Sequence, residues 1–337
     1  MATVLKIPEN PRILVADLAY IGDLLMSTPA ITNLRKAFPS AVIDILVSSG
    51  TMPVIEHNPD INTVFTTDMK KRGLRGIREE ARKISTMGYD IAISFHRAHG
   101  TLMMLRMSGI SKRIGFTNGG RAFFLSSGVP FIIQKHRAWN HLRLLEKSFG
   151  IHVDYTTPTR LVPDSSAVET VRKRLESIKH KKGFIAVNPN AAWATKRWTP
   201  EGFADILYGI ISESFTPILI GGPNEKQIAE EVKSSVTSDI ADWTGETTLH
   251  ELTALLAECV ACVTNDSGPM HIAQAVGTPV IAIFGPTDPA RCGPWEGSIK
   301  PIQIELDCIK CYRKTCWHHS CMRQVKADEV LNLLKCV

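Results

Sequence analysis

The chain has 337 residues, of which 44% are hydrophobic and 21% are charged, and this length exceeds what one hydrophobic core usually serves. We therefore expect two globular domains. No stretch approaches the roughly 20 consecutive apolar residues of a membrane-spanning helix, so we expect no transmembrane segment. The N-terminus lacks the apolar core of a signal peptide, which favours a cytoplasmic protein.

The net charge of +6 is spread unevenly, with +9 on residues 1–160 and −3 on residues 161–337. A basic first half indicates an anionic partner. Nucleic acid is one candidate, but the basic residues lack interleaved aromatic residues and no helix-turn-helix or zinc-finger pattern is present, so we expect none. An anionic lipid headgroup or a phosphorylated glycan fits the charge equally well, and an ordinary solvated surface would also explain it.

The first predicted elements are a strand, a turn and a helix. Residues 12–18 form an apolar run typical of a central parallel strand, and the helix is predicted over residues 24–38. Between them, Gly22 allows close approach of the backbone, and Asp23 lies at the strand's carboxyl end, where open α/β sheets bind ligands. An ionised carboxylate there can accept a proton from a hydroxyl nucleophile, although it is also a common helix cap.

The alternation continues to the middle of the chain, where basic side chains gather near strand ends. Further strands are predicted at residues 42–47, 63–66, 90–95 and 112–116, and helices over residues 73–87, 100–108 and 137–149. The basic cluster consists of His96, Arg97, His99 and Arg113. It suits contacts with a phosphate or a sugar, and surface solvation explains it equally well. The polar residues 152–166 are the predicted linker.

The second half begins with a predicted strand at residues 184–188, followed by a polar loop. Thr195, Lys196 and Arg197 lie on that loop, just ahead of a predicted helix start. Two cations at the carboxyl end of a strand suit a diphosphate leaving group. After the next strand and a Gly-Gly turn, Glu225 is placed to bind ribose hydroxyls, or it is an ordinary acid at a helix N-terminus.

The most informative stretch has the sequence VTNDSGPMHIAQAVGTPVIAIF, which predicts a strand, a polar turn, a helix and a second strand. Asp266 or Ser267 can cap the helix. The free N–H groups of its first turn, which follows Gly268, can hold an anion, and His271 can add a donor. Because no Walker lysine is present, the turn favours the diphosphate of a nucleotide sugar over a triphosphate. An ordinary capped β–α–β unit would show the same pattern.

Four of the eight cysteines lie near the C-terminus with the spacing of a tetrahedral metal site: Cys308, Cys311, Cys316 and Cys321. The spacing predicts a structural zinc ion, and free thiols packed under the last helix are the alternative. A zinc-dependent nucleic-acid-binding protein would also suit this cluster, but it would leave the two large domains unexplained. The last helix is predicted over residues 327–334, where it is expected to pack back across the first domain.

Six segments together resemble one known family. They are IGDLLMSTPAITNLRKAFP, KRIGF, TKRW, GGPNE, TNDSGPMHIAQAVGTPVIAIFGPTDP and the cysteine-rich tail, and they span nearly the whole chain. The chain resembles the ADP-heptose:lipopolysaccharide heptosyltransferases of glycosyltransferase family 9, among them the heptosyltransferase II type. The resemblance implies the α/β GT-B fold, in which two Rossmann-like, doubly wound parallel-sheet domains face a cleft. The acceptor would bind to residues 1–160 and the nucleotide sugar to residues 161–325, with residues 326–337 as a C-terminal helix.

The resemblance also implies an activity, the inverting transfer of L-glycero-D-manno-heptose from ADP-heptose to the inner core of lipopolysaccharide. The acceptor would be of the lipid A–Kdo–heptose type, at the inner face of the cytoplasmic membrane, and no metal or other cofactor would be needed for catalysis. Asp23 matches the catalytic base, and Lys196, helped by Arg197, matches the residue that neutralises the departing diphosphate. The matching donor positions are Thr195, Glu225, Asp266, Ser267, Gly268 and His271. The acceptor positions that we assign are Gly22, His96, Arg97 and Arg113.

Two other functions compete with this interpretation. One is transfer of a different nucleotide sugar, or transfer to a different glycan, by an enzyme of the same family. The other is a nucleotide-sugar-binding protein that has lost catalysis. The presence of both Asp23 and Lys196 counts against the second alternative, because binding alone requires no base.

Overall fold

The computed structural model describes residues 7–295 and 301–336, which divide into two compact units between Arg160 and Leu161. Each unit contains one six-stranded sheet in which all neighbouring strands run parallel. Helices connect the strands, so the doubly wound α/β fold expected from the sequence is confirmed. None of the helices in the described ranges combines the length and apolar character that crossing a bilayer would require.

The first unit contains six strands and five α-helices among its described residues. The strands are β1 (Arg12–Asp17), β2 (Val42–Ser48), β3 (Thr63–Thr67), β4 (Ile91–Ser94), β5 (Lys112–Phe116) and β6 (Ser127–Val129). The helices are α1 (Ile21–Leu25), α2 (Thr28–Ala37), α3 (Gly73–Ser85), α4 (His99–Met107) and α5 (Arg137–Phe149). The spatial order is β3-β2-β1-β4-β5-β6, the Rossmann order, so the winding reverses between β1 and β4.

The second unit repeats this design. Its strands are β7 (Phe184–Asn188), β8 (Thr216–Leu219), β9 (Ala241–Asp242), β10 (Ala261–Asn265), β11 (Val280–Phe284) and β12 (Ile302–Gln303). Its helices are α6 (Ser165–Glu176), α7 (Pro200–Ser212), α8 (Lys226–Lys233), α9 (Leu249–Glu258), α10 (Gly268–Ala275), α11 (Pro289–Cys292), α12 (Ser320–Arg323) and α13 (Ala327–Leu334). The order β12-β11-β10-β7-β8-β9 places the reversal between β7 and β10.

The apolar run that predicted β1 is explained by its burial on both faces. Ile13 and Val15 point to one face and Leu14 to the other, and none of the three is more than 1% exposed. A strand covered on both sides has no solvent face, so its sequence cannot alternate between apolar and polar residues. This burial fixes the carboxyl end of β1, where the candidate site lies.

The helix predicted over residues 24–38 is interrupted, and α1 and α2 are separate. The hydroxyls of Ser27 and Thr28 donate to the carbonyl oxygens three residues earlier, at 2.7 Å in each case. Pro29, near the start of α2, has no N–H to continue the helical ladder. Because of this break, Asp23 lies in a short helix of its own at the end of the sheet.

The final helix packs in the core of the second unit, and the expectation that it also lies across the first unit stays a prediction. Val330 of α13 is fully buried in the core of the second unit. On the facing helix α7, Gly209 leaves room for the Leu331 side chain, which a Cβ atom would displace. The apolar side of α13 is therefore used within its own unit.

Candidate active site

A cavity of about 470 Å³ lies at the carboxyl edge of the first sheet, beside the ends of β1 and β4. These two strands flank the reversal of strand order, which is where open α/β sheets bind ligands. All residues that line the cavity belong to the first unit. Those with ionisable side chains other than tyrosine are Asp17, Asp23, Lys70, His96, Arg97, Arg137 and His141.

Asp23, the predicted base, lies in the first turn of α1 and lines this cavity. Its Oδ1 is 3.0 Å from Nε of Arg137, and 28% of its side chain is exposed. Arg137 begins α5, which is capped by the His136 side chain accepting the N–H of Ala138. The carboxylate is anchored by a cation yet accessible, so it can accept a proton from a bound hydroxyl group.

Asp17, at the end of β1, is a second carboxyl group in the cavity. Its side chain is 1% exposed, and its Oδ2 has no hydrogen-bond partner among the described residues. Burial, followed by the charge of Asp23, raises the pKa of Asp17 to about 8, although the Ser27 hydroxyl and the charge of Arg137 act in the opposite direction. Asp17 is therefore predominantly the neutral acid at neutral pH.

Two histidines that line the cavity are uncharged at neutral pH. Burial, assisted by the charges of Lys70 and Arg97, lowers the pKa of His96 to about 4. Burial likewise lowers the pKa of His141 to about 3. Neutral imidazoles can donate or accept a hydrogen bond, but they add no charge to the site.

The positive charge of the cavity comes from Lys70, Arg97 and Arg137. Lys70 Nζ donates to the carbonyl oxygen of Leu18 at 2.6 Å. The guanidinium of Arg97 lies over the ring of Phe131, with 4.0 Å between Cζ and the ring centroid. These cations outnumber the ionised carboxylates, so the cavity suits an anionic ligand.

The predicted acceptor residues divide into two groups. His96 and Arg97 line the cavity, and Gly22 precedes Asp23 in α1. Arg113 is not among the lining residues, and its Nε donates to a backbone carbonyl oxygen in the 121–126 segment at 2.8 Å. The guanidinium of Arg113 therefore tethers a loop in the folded unit.

Four cavity residues were missed by sequence reasoning: Asp17, Lys70, Arg137 and His141. None of them lies in a recognisable motif, and they come from segments that meet only when the sheet forms. One signal was present, because Arg137 begins a helix that was correctly predicted. A cation at a helix start is unfavourable beside the helix dipole, so its position there called for an anionic partner.

At the carboxyl edge of the second sheet, half-buried Lys196 forms an ion pair with buried Asp266. Lys196 Nζ is 2.7 Å from Asp266 Oδ2, and the two side chains are 16% and 6% exposed. Thr287 Oγ1 donates to the same carboxylate oxygen at 2.5 Å. Asp266 follows β10 and Lys196 lies on the loop after β7, so the pair spans the reversal of strand order in this sheet.

The N-terminus of α10 has no side-chain cap. We expected Asp266 or Ser267 to provide one, but Asp266 pairs with Lys196, and the Ser267 hydroxyl accepts from Asn188 Nδ2 at 2.8 Å. The first-turn N–H groups are therefore not engaged by a capping side chain, which leaves them suited to an anion. His271, in the same part of α10, is 7% exposed.

Three other predicted donor residues hold the surrounding loops together. Arg197 Nε donates to a carbonyl oxygen of its own loop at 2.9 Å, and Thr195 Oγ1 donates to the carbonyl oxygen of Arg313 at 2.8 Å. Glu225 Oε2 accepts the N–H of Gly222 at 2.7 Å and completes a capping box. The helix-acid interpretation of Glu225 therefore has a structural basis, and the ribose-binding interpretation stays a prediction.

The four C-terminal cysteines are free thiols on a segment with little regular structure. Within the part of the chain that the structure describes, no three of their sulfur atoms lie within 4.8 Å of one another. A closed tetrahedral zinc site, with Zn–S distances of about 2.3 Å, needs its sulfur atoms closer than this. Burial, followed by the proximity of Cys311 and Cys316, raises the pKa of Cys321. The zinc ion stays a prediction.

Comparison with known proteins gives consistent matches. The family model described as Glycosyltransferase family 9 (heptosyltransferase) matches residues 77–321. Lipopolysaccharide heptosyltransferase 3 of Escherichia coli (strain K12) is 27% identical over 314 residues, which cover 87% of this chain and 91% of the relative. Lipooligosaccharide heptosyltransferase 2 of Campylobacter jejuni (serotype O:2) is 24% identical over 332 residues, which cover 94% and 96% of the two chains.

Among solved structures, E. coli ADP-heptose lipopolysaccharide heptosyltransferase II is similar, with a TM-score of 0.81 and 20% identity. The match covers 96% of this chain and 98% of that one. This likeness extends over both sheets and confirms the GT-B fold class expected from the sequence.

Proposed function

Because the chain belongs to glycosyltransferase family 9, the heptosyltransferases, and is thus a glycosyltransferase, we propose that it moves L-glycero-D-manno-heptose from ADP-heptose to the inner core of lipopolysaccharide. The observation that carries the proposal is the pairing of Lys196 with Asp266 beside the uncapped N-terminus of α10. An ammonium group and free backbone N–H groups at one strand edge are the donors that a diphosphate needs.

The proposed reaction is a single displacement with inversion. An acceptor hydroxyl oxygen bonds to the anomeric carbon of the heptose, the bond from that carbon to the β-phosphate oxygen breaks, and ADP leaves. Asp23 takes the hydroxyl proton, and Lys196 with the α10 N-terminus stabilises the charge on the departing diphosphate. We propose that this step needs no metal ion, because these groups supply the positive charge that a metal would otherwise bring.

The acceptor is proposed to be anionic. The cavity beside Asp23 carries the cations Lys70, Arg97 and Arg137, and residues 1–160 carry a net charge of +9. A lipid A–Kdo–heptose acceptor presents carboxylates and phosphates, which complement this charge. We propose a cytoplasmic enzyme that works peripherally at the inner face of the membrane, where such an acceptor would be anchored.

A donor screen tests the proposed function. Purified protein is incubated with radiolabelled ADP-heptose, UDP-glucose or GDP-mannose over deep-rough lipopolysaccharide, and heptose is expected to move from ADP-heptose alone. Transfer of glucose or mannose would support the alternative of a different donor within the family. Binding of ADP-heptose without transfer to any acceptor would support the non-catalytic alternative. The anomeric configuration of the product, measured by NMR, tests inversion.

A structural zinc ion at the four C-terminal thiols is a separate proposal. Its support is the spacing of the four cysteines in the sequence. Elemental analysis is expected to find zinc bound to the purified chain and to find less in a Cys308→Ser/Cys311→Ser variant. Protein purified without chelators that contains no metal would contradict it.

A further inference from the structure

Asp17, at the end of β1, has a buried carboxyl group that the formation of the strand does not require. That side chain is 1% exposed, yet Oδ2 has no donor among the described residues, whereas buried polar atoms nearly always have partners. The same side chain lines the cavity that contains Asp23. A buried carboxyl group with one oxygen left unpartnered is less costly as the neutral acid than as the anion, even though the Ser27 hydroxyl and the Ala19 backbone act on the group.

Arg137 links the two carboxyl groups of the cavity. Its Nε lies 3.0 Å from Asp23 Oδ1, and its positive charge also acts on Asp17. Two ionised carboxylates would therefore compete for one guanidinium group. Five other charged or titratable residues line the cavity with them, from the segments after β1, β3 and β4 and from α5: Tyr20, Lys70, His96, Arg97 and His141.

We propose that Asp17 is a positioning residue which, as the neutral acid, leaves Arg137 to Asp23 and preserves the positive charge of the acceptor cavity. The inference rests on the proposed function, in which Asp23 is the base and the acceptor is anionic. Loss of the Asp17 proton adds a second carboxylate, which draws Arg137 away from Asp23 and opposes the acceptor's charge. Acceptor use therefore falls as the pH rises through the pKa of Asp17, about 8.

The kinetic test compares the wild type with Asp17→Asn, which resembles the neutral acid but cannot ionise. Wild-type kcat/KM for the acceptor is expected to fall by about tenfold per pH unit above the pKa of about 8. Asp17→Asn should lose that fall and reduce kcat/KM at neutral pH by no more than about threefold. Neither the rise in pH nor the Asp17→Asn substitution should alter KM for the donor, because the proposed donor-binding residues belong to the second unit.

A matched control is Asp44→Asn on the adjacent strand β2. Asp44 is also buried, and its Oδ2 accepts the hydroxyl of Tyr89 at 2.8 Å, but it does not line the cavity. This variant is expected to keep the wild-type pH profile. The comparison distinguishes the effect on the pH profile of removing a buried carboxyl group in general from the effect of removing the one that shares the cavity with Asp23.

A second measurement needs no substrate. The native state of the wild type holds the Asp17 proton up to a pKa of about 8, whereas the unfolded chain releases it near the ordinary value of 3.8. The wild type should therefore lose stability relative to Asp17→Asn as the pH rises from about 4 to about 8, after which the difference levels off. Denaturant unfolding of both proteins across this range measures the difference.

Each outcome is decisive. A wild-type profile that stays flat well above the pKa of Asp17 overturns the proposal without any variant, and so does an Asp17→Asn enzyme that keeps the wild-type fall. A stability difference that does not change with pH also overturns it. If no heptose transfer occurs at any pH while the stability difference follows pH, the proposed function fails and the protonated state of Asp17 stands.

Discussion

Asp23 is held by Arg137 Nε at 3.0 Å from its Oδ1, and 28% of its side chain remains exposed. The ion pair orients the carboxylate at the edge of the cavity, where it is accessible to a bound hydroxyl group. The proposed role of Asp23 as a base depends on this orientation, because proton transfer requires the two oxygen atoms to lie within hydrogen-bond distance.

Replacing Asp23 with Asn should remove the base while leaving the shape of the cavity unchanged. We expect the transfer rate to fall by a factor on the order of 10² to 10⁴, with ADP binding unchanged because the proposed donor residues lie in the second unit. Transfer assays and calorimetric titration with ADP measure the two effects. The control is Asp68→Asn, an exposed carboxylate paired with Lys71 at 3.3 Å, and a wild-type rate for Asp23→Asn would refute the assignment.

Lys196 is expected to act mainly on turnover, because leaving-group charge grows in the transition state. For Lys196→Ala we predict a fall in kcat by a factor on the order of 10² to 10³ and a smaller rise in KM for the donor. Some loss of stability will accompany it, since Asp266, whose side chain is 6% exposed in the wild type, loses its cationic partner. Steady-state kinetics with denaturant unfolding separates these effects.

Lys173→Ala provides the comparison for this variant, since Lys173 lies on the exposed face of α6 and its ion pair is with the neighbouring Glu169. A Lys196→Ala enzyme with raised KM and unchanged kcat would assign Lys196 to ground-state donor binding. That result would contradict its proposed role with the leaving group.

At the scale of elements, most of the strands and helices predicted from the sequence have bounds within one or two residues of those in the structure. The strands were predictable because a strand that is buried on both faces must be apolar along its length. β5 and α5 were predicted with the bounds that the structure has. The break between α1 and α2 was missed. It is accompanied by hydrogen bonds from the Ser27 and Thr28 hydroxyl groups to backbone carbonyl oxygens, and hydrophobic periodicity does not reveal such local contacts.

The cysteine-rich segment contacts the loop that carries Lys196. His319 Nε2 lies 2.8 Å from the carbonyl oxygen of Thr195, and the Thr195 hydroxyl donates to the carbonyl oxygen of Arg313 at 2.8 Å. His319 itself adopts a left-handed backbone conformation, with φ of 49°, which non-glycine residues hold only when the surroundings enforce it. The segment therefore holds the loop that carries Lys196 in place.

His319→Ala is predicted to loosen that loop and to raise KM for ADP-heptose by a few-fold, with little change in thermal stability. His318→Ala is the matched control, because the bond of His318 Nδ1 is to the Ser320 hydroxyl in the same segment, at 3.0 Å. Donor KM from initial rates distinguishes the two variants. Equal effects from both would mean that the segment matters as a whole and that the His319 contact does not.

At the scale of the whole molecule, the same sheet order occurs twice, and each unit places its candidate residues at its own reversal point. That placement was predictable, because the residues follow strands whose order the βαβ connections restrict. The pairing of Asp23 with Arg137, 114 positions apart, was not. Such a contact depends on how two helices pack on the sheet, which hydrophobic periodicity alone does not specify.

The uneven charge of the chain leads to a prediction about ionic strength. Residues 1–160 carry a net charge of +9, and three of their cations line the cavity. The KM for an anionic acceptor should therefore rise several-fold as the salt concentration increases from about 0.05 M to about 0.5 M, because salt screens this attraction. KM for the donor should change less, because its proposed cation is half-buried and paired with Asp266. Salts with weakly binding anions, such as chloride, limit direct competition for the cavity.

Two variants relate this salt dependence to the cavity itself. Arg97→Gln should raise the acceptor KM and flatten its dependence on salt, because it removes a cation that lines the cavity. Lys112→Gln, which removes a cation from the same unit at a position outside the cavity lining, should change neither. If both variants flatten the dependence equally, long-range attraction by the net charge of the unit is responsible. If only Arg97→Gln does so, the cavity binds the acceptor's anionic group directly.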